Sequence, residues 1–233
     1  MTKDLNKLEK KIGVKFKNKD LLLKSVTHRS YLNEHPEFKA EHNERLEFLG
    51  DAVLELVVTE YLYNTYPNPE GELTNWRASL VNGVTLATIA KDLEIDEHLL
   101  LSKGESQDKN SKARQYILAN AMEAIIGALY LDHGIDSVRK FIMKFILLHL
   151  EEIIEKKLYI DAKSLFQEKA QEKLGLTPTY RVLSSVGPDH AKVFKVGVYL
   201  GSELIESGTG TSKQEAQTDA AKRALMKKKW NLQ

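Results

Sequence analysis

The stretch HNERLEFLGDAVLEL, His42 to Leu56, decides how this chain is read. Leu46, Leu49, Val53, Leu56 and the next residue, Val57, recur at steps of three and four, the spacing of one buried helical face. On the same helix Glu44 and Glu47 are three residues apart, Glu47 and Asp51 four, and all three share a second face that Glu55 continues. Like charges at these spacings repel, by roughly a few tenths of a kcal/mol per pair on an exposed helix. A solvated polar face would tolerate them. Two details argue against so plain a reading: the stripe holds little cationic balance, Arg45 lying off it, and Gly50 sits in mid-helix. There glycine costs up to about 1 kcal/mol relative to alanine, which suggests close approach by another element.

A second apolar stretch, ILANAMEAIIGALYLD from Ile117 to Asp132, supplies that element. Asn120 and Glu123 stand three residues apart among neighbours that are almost all apolar. A buried carboxylate is costly unless it is paired or holds a metal. One reading pairs Glu123 with Arg45 or Arg77 in a structural bridge. The other packs this helix on the first through Gly50 and Gly127, so that Glu47, Asp51, Asn120 and Glu123 converge. Such an all-oxygen set suits Mg²⁺ or Mn²⁺ and can serve phosphoryl transfer.

The 233 residues suffice for one large domain or two modest ones, and 42% are hydrophobic, enough for a substantial core. The net charge of +1 says little, but its distribution is uneven. From Asp161 onward twelve Lys and Arg face eight Asp and Glu, while the preceding residues hold 22 against 25. An acidic front and a basic back suggest two modules with different tasks. Cysteine is absent, which excludes disulfides, thiolate metal sites and cysteine nucleophiles. The start, MTKDLNKLEKK, has no apolar run of a secretory signal. FIMKFILLHL is short and carries Lys144, far from the roughly twenty apolar residues of a membrane span. The expectation is a soluble, cytoplasmic protein with no membrane partner.

Helical periods run from Leu5 to about Lys157, interrupted by TYPNPEGELT (Thr65 to Thr74) and by a polar loop from Leu101 to Arg114. Single helices are expected over Leu73 to Leu93, Tyr116 to Leu131 and Asp136 to Lys156. After Tyr159 the pattern changes. Ala162 to Leu174 reads as a helix, Tyr180 to Ser185, Val193 to Leu200 and Glu203 to Gly210 as strands, and Lys213 to Lys229 as a final helix. Gly201-Ser202 suits a tight hairpin. The fold class is therefore an all-α N-terminal domain over residues 1–157, then a small α+β module, α-β-β-β-α, over 161–230.

These segments resemble ribonuclease III. HNERLEFLGDAVLEL is similar to the signature helix of that family, THRSY (Thr27 to Tyr31) to the segment before it, and PEGELTNWRASLVNG (Pro69 to Gly83) to the block after it. LSKGE (Leu101 to Glu105) and ILANAMEAIIGALYLD complete the likeness to the endonuclease domain, and the C-terminal module resembles a double-stranded RNA-binding domain. The match is to the simple bacterial two-domain form rather than to the Drosha or Dicer types. The resemblance implies a Mg²⁺-dependent enzyme, Mn²⁺ substituting, that cleaves double-stranded RNA to 5′-phosphate and 3′-hydroxyl ends with short 3′ overhangs. Its implied tasks are processing and decay of rRNA and mRNA precursors, carried out by a homodimer in the cytoplasm. Carried onto this chain, Glu47 and Glu123 would ligate the metal, Asp51 would hold the metal and the attacking water, and Glu44 would support them. Glu70 would lie at the rim of the cleavage site. Phe48 matches an aromatic that enters a cavity of the partner subunit, though its spacing equally suits a core aromatic.

Asn120 departs from the pattern, which has an acid there. The amide can ligate through its carbonyl oxygen but cannot act as a base, and one negative charge is lost. Asn120 is the one feature that favours an alternative function, a protein that binds double-stranded RNA without cutting it. A regulator with a helical dimerisation domain would leave the acids unexplained.

Duplex RNA is gripped by shape, through 2′-hydroxyls and phosphates. Gln167 and Glu168 resemble the family's minor-groove pair, and His190, in VGPDHAK, its second minor-groove contact. Thr211, Ser212 and Lys213 open the last helix, where backbone N–H groups attract phosphate. Gln217, one turn on, is a weaker match. Lys227 to Lys229, at the far end, read as a solvated tail or a complement to the helix dipole.

Overall fold

The computed structural model describes residues 4–109, 111–159, 161–188 and 192–230. The chain forms a first compact unit through Tyr159 and a second from the residues after it.

The first unit is helical, and polar caps mark most of its helix starts. Asp4 caps α1 (Leu5–Ile12), which Gly13 ends in the left-handed region at φ 74°. Asn18 caps α2 (Lys19–Ser25) and His28 caps α3 (Arg29–Glu34). Asn43 precedes α4 (Glu44–Thr65), the helix of the opening stretch. Then come α5 (Glu70–Val81), α6 (Gly83–Asp92), a 3₁₀ turn (Ile95–His98) and α7 (Lys103–Gln107). Ser111 caps α8 (Lys112–His133), and α9 (Ile135–Phe145), a second 3₁₀ turn (Leu147–His149) and α10 (Leu150–Glu155) follow.

Three details differ from the periodic reading. Asn82 leaves the helical region at ψ 155° and its side chain accepts from Thr85 N at 2.9 Å, so the expected helix over Leu73 to Leu93 is two helices. The polar loop contains α7, started by Ser102, whose hydroxyl accepts from Glu105 N. The expected helix over Asp136 to Lys156 is broken at the second 3₁₀ turn.

Helices α4 and α8 form the centre of this unit. Leu54, Val58 and Leu62 of α4 and Leu118, Met122 and Ile125 of α8 are all but inaccessible. The two glycines let these backbones touch. A Cβ on Gly50 would lie 1.8 Å from the Glu123 carbonyl oxygen, and one on Gly127 would lie 2.2 Å from that of Leu46.

Backbone contacts from distant segments fix both ends of the pair. At the start of α4, Asn43 N donates to Thr27 O at 2.9 Å, and a short parallel bridge joins Thr27 to Leu100. At the end of α8, the Asp132 carboxylate accepts from Lys17 N at 2.7 Å and Asn18 N at 2.9 Å. Tyr159 closes the unit with its ring edge-on to the buried Trp76, centroids 6.1 Å apart.

In the second unit, α11 (Ala162–Leu174), capped by Asp161 and ended by Gly175 at φ 66°, precedes β1 (Pro178–Val186), β2 (Val193–Leu200) and β3 (Glu203–Gly210). The strands form an antiparallel sheet in the order β1-β2-β3, turning at Gly201 (φ 61°), and α12 (Lys213–Lys228) closes the unit. Phe166, Val198, Ile205, Ala220, Ala221 and Ala224 make its core. The small alanines of α12 answer Gly208, where a Cβ would stand 2.1 Å from Ala220 N. Lys227 donates to Ile205 O at 2.7 Å and pairs with Glu206 at 3.2 Å. That lysine braces β3 and is not a solvated tail.

Candidate active site and RNA-binding surface

The contact between α4 and α8 brings Glu47, Asp51, Asn120 and Glu123 together. Burial pushes the Glu123 carboxyl up to about 7, and the negative charges of Asp51 and then Glu47 push in the same direction. Glu47 is raised as well, by burial first, then by Glu44 and Asp51, against a hydrogen bond from the Asn120 side chain.

Glu123 has no cationic partner among the described residues. Arg77 instead pairs with Glu55 at 3.1 Å and donates to Thr59 Oγ1 at 2.9 Å. The structural bridge to Arg45 or Arg77 is therefore not formed, and Glu55 leaves the acid cluster. Opposed carboxyl groups with oxygen-only donors and no internal cation fit a hard divalent ion. No three His, Asp or Glu side chains among the described residues already stand as an ion-holding group.

Glu44 stands at the edge, its carboxylate exposed, 2.7 Å from Arg29 and 3.9 Å from His42. Arg29 was not singled out in the sequence, because a cation fifteen residues away gives no periodic signal. Glu70, in the first turn of α5, accepts from Thr74 Oγ1 at 2.9 Å and lines a cleft of about 650 Å³ with Tyr63, Tyr66, Leu73 and Arg77. Phe48 is 82% exposed, so within this chain it is not a core aromatic.

In the second unit Gln167 and Glu168 are exposed on α11. At the start of α12, Ser212 accepts from Glu215 N at 3.2 Å, and the Glu215 carboxylate accepts from Thr211 N at 2.9 Å. This reciprocal cap fixes the turn that presents the exposed Lys213. Gln217 is half-buried and accepts from Lys163 Nζ at 2.7 Å, which joins the starts of α11 and α12. Lys163, whose amine also lies over the Tyr180 ring at 5.3 Å, was not anticipated. His190 lies outside the described residues.

Comparison with known proteins agrees with this division. Residues 18–150 match a family model described as Ribonuclease-III-like, and residues 162–228 match the double-stranded RNA binding motif. The chain is 43% identical to Ribonuclease 3 of Nitratiruptor sp., over 96% of each chain. It is 44% identical to Ribonuclease 3 of Carboxydothermus hydrogenoformans, over 95% of this chain and 94% of that one. The solved nuclease domain of ribonuclease III from Campylobacter jejuni, a structure described for its flexibility in a region of dimer formation, covers 62% of this chain and 97% of its own. It superposes with a TM-score of 0.55 at 38% identity.

Proposed function

The chain belongs to the ribonuclease III family, endoribonucleases that cut double-stranded RNA, and on that premise we propose that Glu47, Asp51, Asn120 and Glu123 hold a Mg²⁺ or Mn²⁺ ion at the centre of its active site. One observation carries this reading: Glu123 is raised to about 7 beside two further carboxylates, with no cation among the described residues to balance them. A nuclease is what the fold and the full-length relatives support. The alternative of binding without cutting, which only Asn120 suggested, is not favoured by relatives that are ribonucleases over nearly their whole length.

When bound, a divalent cation would stabilise charge on the scissile phosphate and make an attacking water acidic. Glu47 and Glu123 would supply carboxylate oxygens to it, Asn120 its carbonyl oxygen, and Asp51, the more exposed acid, an oxygen that also orients the water. Glu44, held by Arg29, would keep the edge of the cluster negative, and Glu70 would line the rim over which RNA enters. The products would be 5′-phosphate and 3′-hydroxyl ends, and the substrates structured rRNA and mRNA precursors in the cytoplasm.

The matched RNA-binding motif makes the second unit the duplex grip. Gln167, Glu168 and His190 would meet the minor groove, with Thr211, Ser212, Lys213 and Gln217 at the phosphates. Among the described residues, no helix is long and apolar enough to cross a membrane. The functional assembly would be a homodimer. Phe48 offers an exposed aromatic for a partner, and the cleft lined by Tyr63 and Tyr66 offers a place to receive one.

The test is cleavage of a long RNA duplex with Mg²⁺, with Mn²⁺ and with chelator. Cutting that needs the metal is the expected result. Duplex binding with no cutting under any condition would overturn the assignment of the site.

A further inference from the structure

Charge is unevenly spread within the first unit. The first 25 residues hold eight lysines against three acids, while residues 26–160 hold 14 Lys and Arg against 22 Asp and Glu. Part of the lysine excess is spent inside the fold. Lys11 pairs with Glu94 at 2.5 Å, Lys19 with the buried Glu9, and Lys24 with Glu41. Lys7, Lys10 and Lys15 are exposed, and among the described residues none of them is paired with an acid. Lys7 and Lys10 stand three apart on the solvent face of α1, away from the buried Leu8 and Ile12. Beyond Gly13 the chain crosses the end of α8, where the Lys15 carbonyl accepts from His133 Nε2 at 3.0 Å. Lys144 of α9 comes to the same place. Its ammonium nitrogen is 3.4 Å from where a Cβ on Gly13 would stand, and it too is exposed and paired with no acid among the described residues. Segments more than a hundred residues apart thus present one cationic face.

We propose that this face, made by Lys7, Lys10, Lys15 and Lys144, is a second grip on the phosphate backbone of duplex RNA, carried by the nuclease unit and separate from the RNA-binding motif. It rests on the family's duplex substrate and not on the cation site. Lysines that neutralise phosphates release counterions and need no contact with a base. Lipid is the poorer fit. Helix α1 turns its apolar residues into the core, and no large hydrophobic residue from Asp4 to Ser25 is exposed, so α1 lacks the apolar side of a helix that lies in a membrane surface. His133 follows Glu123 by ten residues on α8. At the helical rise that is about 15 Å, so RNA that runs past the cleavage site comes within reach of these cations.

The experiment is duplex RNA binding by the full chain in EDTA, across about 50 to 300 mM salt. Lys10→Gln/Lys15→Gln/Lys144→Gln should bind about tenfold more weakly near physiological salt, and the slope of log affinity against log salt should become shallower by about two. Arginine at the same three positions keeps the charge and should restore both. Lys39→Gln/Lys91→Gln/Lys156→Gln removes three exposed charges elsewhere on the unit and should leave the slope nearly unchanged. All six side chains are exposed, so folding is not at stake. An unchanged slope in the first variant overturns the proposal. Equal losses in the first and third variants overturn it as well, since net charge alone would then explain them. Loss of binding to phosphatidylglycerol vesicles with RNA affinity intact would give the face to lipid and also overturn it. If the unaltered chain binds no duplex, the reading of the second unit as an RNA grip falls with this one. If the unaltered chain and the first variant bind alike, only this one falls.

Discussion

Gly50 and Gly127 face each other across the contact between α4 and α8. A Cβ on the first would stand 2.8 Å from the backbone nitrogen of the second, and a Cβ on the second 3.1 Å from that of the first. Gly50→Ala therefore has to part the two helices that carry the acids. The expected loss is about 3 kcal/mol or more, in the upper range for overpacking a tight core, and cleavage should be lost with it. Gly71→Ala, where nothing lies within 4 Å of the added carbon, should be neutral or slightly stabilising. Urea denaturation of the two variants, side by side, checks the contrast.

Glu123→Gln keeps shape and volume and removes only the charge. Cleavage of duplex RNA should fall by about a thousandfold or more, the scale expected when a group that stabilises the transition state is lost. RNA affinity should stay within about twofold, because the double-stranded RNA binding motif matches the other unit. A gel-shift titration beside the cleavage assay checks this division, and equal loss of both activities would contradict it.

The same carboxyl gives the metal-free protein a pH dependence. Its folded pKa of about 7 lies above the ordinary 4.5, so ionisation opposes folding. The penalty is absent below pH 4.5, grows between 4.5 and 7, and is fully present above 7. Glu123→Gln should therefore stabilise the protein in EDTA at pH 8, by on the order of 2 kcal/mol after allowance for partial solvent screening, and hardly at all at pH 4.5. Thermal melts across that range would show a gap between the two proteins that widens with pH.

Phe48 contributes little to the fold of its own chain, being 82% exposed. Phe48→Ala should leave the melting of an isolated subunit almost unchanged and weaken the dimer by about tenfold or more, as loss of a buried aromatic anchor does. Sedimentation velocity over a concentration series reads the dimer affinity, and thermal melts at concentrations where the subunits are separate read the stability.

A chain ending at Tyr159 keeps the ring contact with Trp76 and lacks the second unit. Its RNA affinity should drop by at least about tenfold at physiological salt. Low salt should partly restore cleavage, since remaining phosphate contacts strengthen steeply as salt falls. Filter binding and cleavage at two salt concentrations test this.

Much of this architecture is legible in the sequence because its signals are local. Val193 to Leu200 alternates and forms a strand with those same bounds. Asp161 and Gly175 mark the two ends of α11. The inference that Gly50 and Gly127 mean close packing rests on a cost that any mid-helix glycine carries. What escapes the sequence is long-range pairing. Arg77 was a candidate partner for Glu123, and only the placement of α5 gives it to Glu55 instead. Nor does any spacing reveal that Lys163 reaches Gln217, 54 residues on, or that Arg29 reaches Glu44. The break at Asn82 was hidden because the apolar period continues through it, while a single side-chain cap ends one helix and starts the next.

The bonds from Lys17 and Asn18 to Asp132 span 115 and 114 residues. A ribosome makes the donors first and the acceptor much later, after Asn120 and Glu123 have themselves been added. These two bonds must therefore wait until the end of α8 has left the exit tunnel. No nascent fragment that ends before Glu123 holds both halves of the acid set. Nuclease competence thus arrives late in synthesis and in one step, so that an incomplete chain beside its own messenger RNA carries no working blade.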